Sequence, residues 1–357
     1  MDDDLIRDFE RMKANETTLG VFILNEGNLS SSNASLSYYK PHEKEVINNI
    51  FYTTNGLPLG DVAQSMYLTD STAYVVLNNS GKVYVLNSNT FKYIGKIIGL
   101  TSPRYLYLHS KNKAYISDLY SKSIQIVNPI TFQHLGKINV NNRNSSFYQH
   151  STEQMRAVGN KLFVSCWSYD NKILVIDTQT DKLIDSLIVA KQPNSLQIDK
   201  NNTLWVLSDG AFEGSPYGHE QAALTCINTS TLQIENTFIF TNSSASPSKL
   251  HINETKDTLF FISNNVGEIS TDYGIYRMPI TAQNLPQTPF IKQNKRLFYG
   301  LGIDPNNSDI YVADAIDHAQ NGFVLRYNSQ GIAIDSFKVG IIPNSFYFKQ
   351  GKRQSKR

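Results

Sequence analysis

The stretch PRYLYLHSKNKAYISDLYSKSIQIVNPITFQHLGKI, residues 103–138, contains four short runs in which apolar residues alternate with polar ones. The runs cover residues 105–108, 114–117, 123–128 and 134–138, and turn-forming residues separate them. Alternation with a period of two is typical of half-buried β-strands. The stretch therefore predicts one four-stranded unit.

The same unit recurs along the chain. Its first run recurs at 64–68, 154–158, 193–198, 247–252, 298–303 and 343–348, and its second at 21–24, 73–76, 162–165, 204–207, 259–263 and 310–314. Together with residues 103–138 this makes seven copies. Four-stranded repeats of about 40 to 50 residues are typical of β-propellers. We therefore predict an all-β, seven-bladed β-propeller with four-stranded blades.

The two ends of the repeat array predict how the ring closes. The first copy, which starts at Val21, lacks its leading strand, and the last copy, residues 343–348, has no strands after it. We expect the C-terminal strand to complete the N-terminal blade, because this pairing removes two exposed sheet edges. The predicted organisation is a disordered tether (1–18), the propeller (19–349) and a basic tail (350–357).

Composition excludes several classes of function. The 33 basic and 31 acidic residues give a net charge of +2 and are interleaved, whereas a nucleic-acid binder needs a basic stripe. The sequence contains no run of 18 apolar residues, the length that would predict a membrane-spanning helix. Cys166 and Cys226 have no CxxC spacing and no histidine beside them in the sequence, so we interpret both as buried thiols. No metal site is predicted.

Loop lengths indicate which face of the propeller binds a ligand. The loops between second and third strands and those between blades are long and rich in aromatic and amide residues, while most loops on the opposite face are short turns. Strand ends on the long-loop face should form a shallow bowl for a large neutral ligand. The predicted ligand-binding residues are Asn25, Glu26, Asn28, Arg104, Asp118, Tyr120, Arg156, Trp167, Tyr169, Phe212, Tyr217, Tyr299 and Asp314.

Two other interpretations of these residues stay open. Asn and Asp at strand ends often cap turns, and this applies to Asn25, Asp209 and Asp314 individually. Asp314 could also act with Asp317 and His318 as a metal site or an acid–base pair, although solvated loop charges are the simpler explanation of these residues. The sequence contains no HExxH, nucleophile elbow or glycine-rich phosphate loop, so no catalytic residue is predicted.

Three features resemble a known family: GVFILNEGN followed by ASLSYY, the repeated P-x-S strand starts, and residues 299–348. They resemble the YncE-like propellers of Bacteroidetes, often labelled surface-layer proteins, and within that group the BtuG-type surface lipoproteins. The resemblance implies capture of cobalamin and its transfer to a TonB-dependent outer-membrane transporter. It also implies a signal peptide and a lipidated cysteine. No cysteine precedes Cys166, so we expect these segments to have been trimmed.

The sequence analysis thus favours a non-enzymatic, lipid-anchored protein on the outer cell surface. Its expected ligand is cobalamin or a related corrinoid, as transported cargo rather than as a cofactor. Two alternatives remain. One is a calcium-dependent propeller hydrolase or lyase that uses carboxylates in the channel, and the other is a protein–protein interaction scaffold.

Overall fold

The computed structural model describes residues 16–121, 123–141, 150–211, 214–215, 218–265 and 273–352. Nearly all regular structure in this part of the chain is β-strand. The described helix, α1 (Ile50–Asn55), has six residues. No helix in the described ranges is long and apolar enough to cross a lipid bilayer.

Five sheets of the propeller have four strands each and follow one another along the chain. Blade 1 contains β4 (Ala63–Leu68), β5 (Thr72–Leu77), β6 (Lys82–Asn87) and β7 (Tyr93–Ile97); blade 2 contains β8 (Pro103–Ser110), β9 (Lys113–Asp118), β10 (Ser123–Val127) and β11 (His134–Asn139); blade 3 contains β12 (Ser151–Val158), β13 (Lys161–Trp167), β14 (Lys172–Asp177) and β15 (Lys182–Ile188); blade 4 contains β16 (Pro193–Ile198), β17 (Thr203–Ser208), β18 (Ala223–Asn228) and β19 (Ile234–Ile239); blade 5 contains β20 (Ala245–Ile252), β21 (Thr258–Asn265), β22 (Gly274–Pro279) and β23 (Ile291–Lys292).

The remaining eight strands form a single sheet that contains both ends of the described chain. In spatial order its strands are β27 (Ala333–Ile341), β26 (Asn321–Tyr327), β25 (Ile310–Asp314), β24 (Phe298–Ile303), β28 (Pro343–Lys352), β1 (Glu16–Asn25), β2 (Ser35–Lys40) and β3 (Glu45–Ile47).

The prediction of seven four-stranded blades is wrong, because the described chain forms five such blades and one eight-stranded sheet. The large sheet is continuous because β24 and β28 pair in parallel through Leu301 and Ser345. Two glycines of β24 permit this contact. A Cβ on Gly300 would lie 2.5 Å from the carbonyl oxygen of Asn344, and one on Gly302 would lie 2.7 Å from Cβ of Phe346. Without side chains at these positions, the two backbones approach within pairing distance.

The C-terminal strand β28 also pairs antiparallel with β1, from Glu16↔Lys352 to Asn25↔Pro343. Strand β1 therefore begins inside the segment that was assigned to the tether, and β28 extends into the predicted basic tail. The differences are small and have one cause, because the pairs Thr17↔Gly351 and Thr18↔Gln350 prolong a two-stranded ladder. Residues 1–15 and 353–357 lie outside the described residues.

Apolar residues of neighbouring sheets form the core between them. Phe22 and Leu24 of β1 belong to one buried cluster with Val75 and Leu77 of β5. The second strand of a blade has neighbours on both of its faces, which explains why its sequence is a nearly continuous apolar run. In β5, all residues from Ala73 to Leu77 are buried.

The first strand of each blade lies next to the first strand of the following blade, around the central axis. The eight-stranded sheet supplies β24 and β28 to this ring, so the inner strands contact one another in the order β4, β8, β12, β16, β20, β24, β28 and back to β4. Residues at the start of these strands therefore meet at one mouth of the central channel.

Candidate ligand-binding cavity

Every inner strand has an irregular register near its first residues. The shifts fall between Ala63 and Ser65 in β4, and at the matching place in the other inner strands. Each shift leaves one or two residues without a partner in the ladder. These residues are Gln64, Arg104, Tyr105, Glu153, Gln154, Asn194, Lys249, Leu250, Tyr299 and Asn344. A β-bulge redirects a side chain out of the regular alternation.

All of these bulge residues except Leu250 line a cavity of about 620 Å³ at this mouth of the channel, which we call the central cavity. A volume of this size is in the range of small-molecule sites. The other residues that line it are Glu26, Trp167, Ser195, Asp209, Ser246, Ser248, Asn264, Leu297, Phe298 and His318.

An ion pair between two blades forms one part of the cavity wall. Arg104 Nε donates to Glu153 Oε1 across 2.5 Å, and Arg104 Nη1 donates to Gln64 Oε1 across 2.7 Å. The guanidinium carbon of Arg104 lies 5.8 Å from the ring centroid of Trp167. The cavity thus contains an ion pair that is also hydrogen-bonded to Gln64, with an aromatic face beside it.

A second charged group lies on the other side of the cavity. Lys249 Nζ donates to Asn344 Oδ1 and lies 5.5 Å from the ring centroid of Tyr299. The Tyr299 hydroxyl donates to Glu26 Oε2 across 3.0 Å. Desolvation by burial lowers the pKa of Lys249 and raises the pKa of Tyr299. Tyr299 therefore lies between Glu26, which its hydroxyl contacts, and Lys249, which faces its ring.

Asp209 is the cavity carboxylate whose protonation changes near neutral pH. Desolvation by burial raises the pKa of Asp209 to about 7 from 3.8. Three side-chain donors oppose this shift: Gln192 Nε2 at 2.8 Å, Trp167 Nε1 at 3.4 Å and Asn194 Nδ2 at 3.5 Å. A buried acid poised near pH 7 can exchange a proton with a bound ligand.

A smaller cavity of about 140 Å³ continues down the channel and shares Gln64, Tyr105, Gln154, Lys249 and Asn344 with the central cavity. Arg156 and His251 line it. Desolvation lowers the pKa of Arg156, and it lowers the pKa of His251 to about 3. His251 is therefore neutral at physiological pH.

The structure brings part of the predicted ligand-binding set together. Glu26, Arg104, Trp167 and Tyr299 line the central cavity, and Arg156 lines the deeper one. Whether they bind a ligand stays a prediction.

Four other predicted residues are hydrogen-bonded within turns and strands and do not line either cavity. Asn25 is fully buried and donates to Ser35 Oγ and Ser37 Oγ. Asn28 Nδ2 donates to the carbonyl oxygen of His318 across 2.6 Å. The Asn25 side chain is thus bonded to strand β2 rather than to a turn or a cavity.

Asp118 and Asp314, the remaining two, hold equivalent turns. The carboxylate of Asp118 accepts from the backbone N–H groups of Thr101, Ser102, Tyr120 and Ser121. The carboxylate of Asp314 accepts from the N–H groups of Leu297 and Ile316 and from Arg296 Nη1. Each carboxylate links the loop that enters a blade to the loop that follows its second strand.

Tyr120 and Tyr169 lie on loops of this face, with exposed fractions of 65% and 36%. Neither lines the central cavity. Phe212 and Tyr217 lie outside the described residues. His318 lines the cavity with its ring 5.1 Å from that of Tyr299, whereas exposed Asp317 accepts backbone hydrogen bonds from Ala319 and Gln320.

Sequence reasoning missed Gln64, Tyr105, Glu153, Asn194 and Lys249. A signal for three of them was present, because Asn194 directly follows Pro193, and Tyr105 and Lys249 lie two residues after Pro103 and Pro247. The bulges that turn them toward the axis are not visible in the alternating pattern.

Within the described ranges, one group of three potential metal ligands has donor atoms that all lie within 4.8 Å of one another: His150, Cys166 and Asp170. The carboxylates of the central cavity do not form such a group. Glu26 is bound to Tyr299, and Glu153 to Arg104.

Comparison with known sequences places the chain in a family. The family described as "Domain of unknown function (DUF5074)" matches residues 19–349, which include all of the inner strands except the last three residues of β28. The chain belongs to the DUF5074 family. A search of curated proteins found no match to this DUF5074 chain.

Solved structures similar to this DUF5074 protein include enzymes and enzyme-like propellers. A quinonprotein alcohol dehydrogenase-like protein from Bacteroides thetaiotaomicron has a TM-score of 0.70 and 13% identity, over 93% of this chain and 78% of that one. The periplasmic gluconolactonase of Pseudomonas aeruginosa has a TM-score of 0.64 and 11% identity, over 92% and 99%. Virginiamycin B lyase from Staphylococcus aureus has a TM-score of 0.55 and 12% identity, over 81% and 92%. At these identities the likeness supports the propeller fold alone.

Proposed function

We propose that this DUF5074 protein captures a large, amide-bearing ligand over the mouth of its central cavity, without transforming it. The favoured ligand is cobalamin or a related corrinoid. The observation that carries the proposal is the ring of bulges, which directs amide, hydroxyl and paired charged side chains from every inner strand to one open cavity.

The chemistry of the lining fits a neutral, polar ligand. Arg104 is paired with Glu153, and the carboxylate of Glu26 acts electrostatically on Lys249 from beyond Tyr299, so the two cations are matched by two carboxylates. Amides such as Gln64, Asn194 and Asn344 both donate and accept hydrogen bonds. A corrinoid carries amide arms around a flat ring, which matches this mixture of amides with the aromatic face of Trp167.

The geometry also suggests how such a ligand would lie. A corrinoid is too large to fit inside a cavity of about 620 Å³. Its ring would therefore cover the mouth, while its amide arms reach the bulge residues. The bulges are built into rigid sheets, which lowers the entropic cost of ordering the binding side chains.

The cellular setting is part of the same proposal. By its resemblance to BtuG-type propellers, the protein would be held on the outer cell surface by a lipid anchor. It would pass its cargo to a TonB-dependent transporter. The long loops around the mouth are the surface where both ligand and transporter would be met.

Isothermal titration calorimetry with cyanocobalamin tests the ligand. We expect saturable heat, and at least about a tenfold loss of affinity for Trp167→Ala, since an aromatic residue at the rim acts as an anchor. Tyr93→Ala is the control, because Tyr93 is a partly exposed tyrosine of the outer strand β7 and lines neither cavity. Absence of heat and of thermal protection at high micromolar ligand would contradict the proposal.

Asp209 favours one second candidate, a propeller hydrolase or lyase with this carboxyl group as general acid or base. Its pKa of about 7 suits proton transfer at neutral pH. The calcium-dependent version of this hypothesis has less support, because the described cavity carboxylates are engaged separately by Tyr299 and Arg104. Turnover of lactone or ester substrates that Asp209→Asn abolishes would favour the enzyme.

A further inference from the structure

Three side chains of different chemistry meet just behind the cavity wall in blade 3. His150 Nδ1 and Asp170 Oδ2 are 2.6 Å apart, and one donor atom from each of His150, Cys166 and Asp170 lies within 4.8 Å of the others. An ordinary histidine–carboxylate pair explains two of these residues. It does not require a thiol at the same point.

The local fold brings the three together from two strands and one turn. His150 directly precedes β12, whose Thr152 pairs with Cys166 of β13. After Trp167, the chain turns through Ser168 and Tyr169, which have φ angles of 53° and 66°. Left-handed conformations at two successive positions are typical of the type I′ turns that connect antiparallel strands such as β13 and β14. The turn returns Asp170 to Cys166.

The three side chains are largely buried, but two of them keep some exposure to solvent. Cys166 is fully buried, while the side chains of His150 and Asp170 are 13% and 11% exposed. Burial raises the pKa of the Cys166 thiol, so without a metal this sulfur is protonated. One thiolate, one imidazole and one carboxylate are donor types that zinc accepts in tetrahedral sites.

We propose that His150, Cys166 and Asp170 form a zinc site with three protein ligands and a water molecule in the fourth position. Binding replaces the thiol proton of Cys166 by the metal, so the thiolate forms as zinc enters. In a neutral imidazole the proton that Nδ1 shares with Asp170 moves to Nε2, so that the Nδ1 lone pair binds the metal. The proton of the Cys166 thiol is then the one released for each zinc ion bound.

Such a site would act on the ligand cavity through the backbone. Trp167, which follows Cys166 directly, lines the central cavity. The carbonyl oxygen of Asp170 accepts from the N–H group of Gln192 across 2.7 Å, and Gln192 donates to Asp209. Zinc would therefore fix the turn that carries Trp167 and Tyr169.

Cobalt(II) is the probe for this site, because a cobalt–thiolate bond gives charge-transfer absorbance that identifies the sulfur ligand. The full chain, freed of metal by a chelator and transferred to buffer, is titrated with cobalt chloride. We expect a thiolate band that saturates at one equivalent, visible bands of a four-coordinate ion, and bleaching of both by zinc.

Cys166→Ser should remove the charge-transfer band, and His150→Gln and Asp170→Asn should weaken cobalt binding at least tenfold. Cys226→Ser is the matched control, because Cys226 is the other buried free cysteine and should leave the spectrum unchanged. Zinc should raise the melting temperature of wild type and of Cys226→Ser, but not of His150→Gln. The proposal is overturned if wild type shows no thiolate band, or if the band persists in Cys166→Ser. If Cys166→Ser does not fold, equal cobalt affinity of His150→Gln and wild type overturns it.

Discussion

Arg104 and Glu153 join blades 2 and 3 at the central cavity through an ion pair in which both side chains are bulge residues and largely buried, with 14% and 4% exposure. The pair therefore links ring assembly to the lining of the cavity. Its two partners depend on each other, because each would otherwise be a buried charge.

Replacing only one member of this pair should be costly. We expect Arg104→Met to lower the free energy of unfolding by about 3–5 kcal/mol, since it leaves Glu153 buried without its counter-charge. The double variant Arg104→Met/Glu153→Leu should recover most of that loss. Denaturant unfolding of the single and double variants measures the difference, and equal stability of all three proteins would contradict the prediction.

The same variant should respond to pH in a defined direction. Burial raises the pKa of Glu153 from its ordinary 4.5, and Arg104 opposes that shift. Without Arg104 the folded protein binds a proton that the unfolded chain has released, so stability falls as pH rises from about 4.5 through the folded value. The destabilisation of Arg104→Met should therefore be larger at pH 8 than at pH 5.

Asp209 should give the wild-type protein its own pH dependence. Its folded pKa of about 7 exceeds the ordinary 3.8, so the contribution of this group to stability is complete below pH 3.8 and is lost as pH rises through 7. Asp209→Asn should remove that component of a thermal-unfolding series from pH 5 to 9, whereas exposed Asp185→Asn should not. Because Trp167 lies beside Asp209, its fluorescence should titrate with a midpoint near pH 7 in wild type and not in Asp209→Asn.

Asp118 should be far more important for folding than for binding. Asp118→Ala removes the acceptor of four backbone N–H groups, and we expect a loss of about 3 kcal/mol in the free energy of unfolding. Exposed Asp185→Ala serves as the control for loss of one negative charge. A change in cyanocobalamin affinity without a change in stability would show instead that Asp118 contacts the ligand.

The C-terminal strand should be required for a folded ring. A chain that ends at Ile342 lacks all of β28, which pairs with both β1 and β24 and carries buried Phe346. We expect no cooperative unfolding transition for this chain. A chain that ends at Lys352 keeps all of β28 and should unfold like the full-length protein. Circular dichroism during heating compares the two.

The sequence predicted the propeller because apolar and polar residues alternate within each strand. This alternation involves only residues that are close in the chain, so it can be detected without the fold. The blade count failed at Gly300 and Gly302, since the contact they allow with β28 joins two sheets that the repeat pattern treats as separate. Strand starts such as Arg104 and Tyr299 were found because they follow the repeat. Lys249 and Glu153 occupy bulges like that of Arg104, but the alternating pattern does not show where a bulge lies, so they were missed.

The grouping of His150 with Cys166 and Asp170 was invisible for a different reason. The histidine lies sixteen positions before the cysteine, outside any familiar ligand spacing, and only the β12–β13 pairing brings them together.

The direction of β1 and β28 has a consequence for orientation. Strand β1 ends at Asn25, next to Glu26 at the cavity mouth, and β28 starts there at Pro343. The other ends of these strands, Glu16 and Lys352, lie about 30 Å away on the opposite face of the propeller. A support joined directly to Glu16 or Lys352 would hold the molecule on that side, so that the open cavity faces away from the point of attachment and toward the surrounding solution.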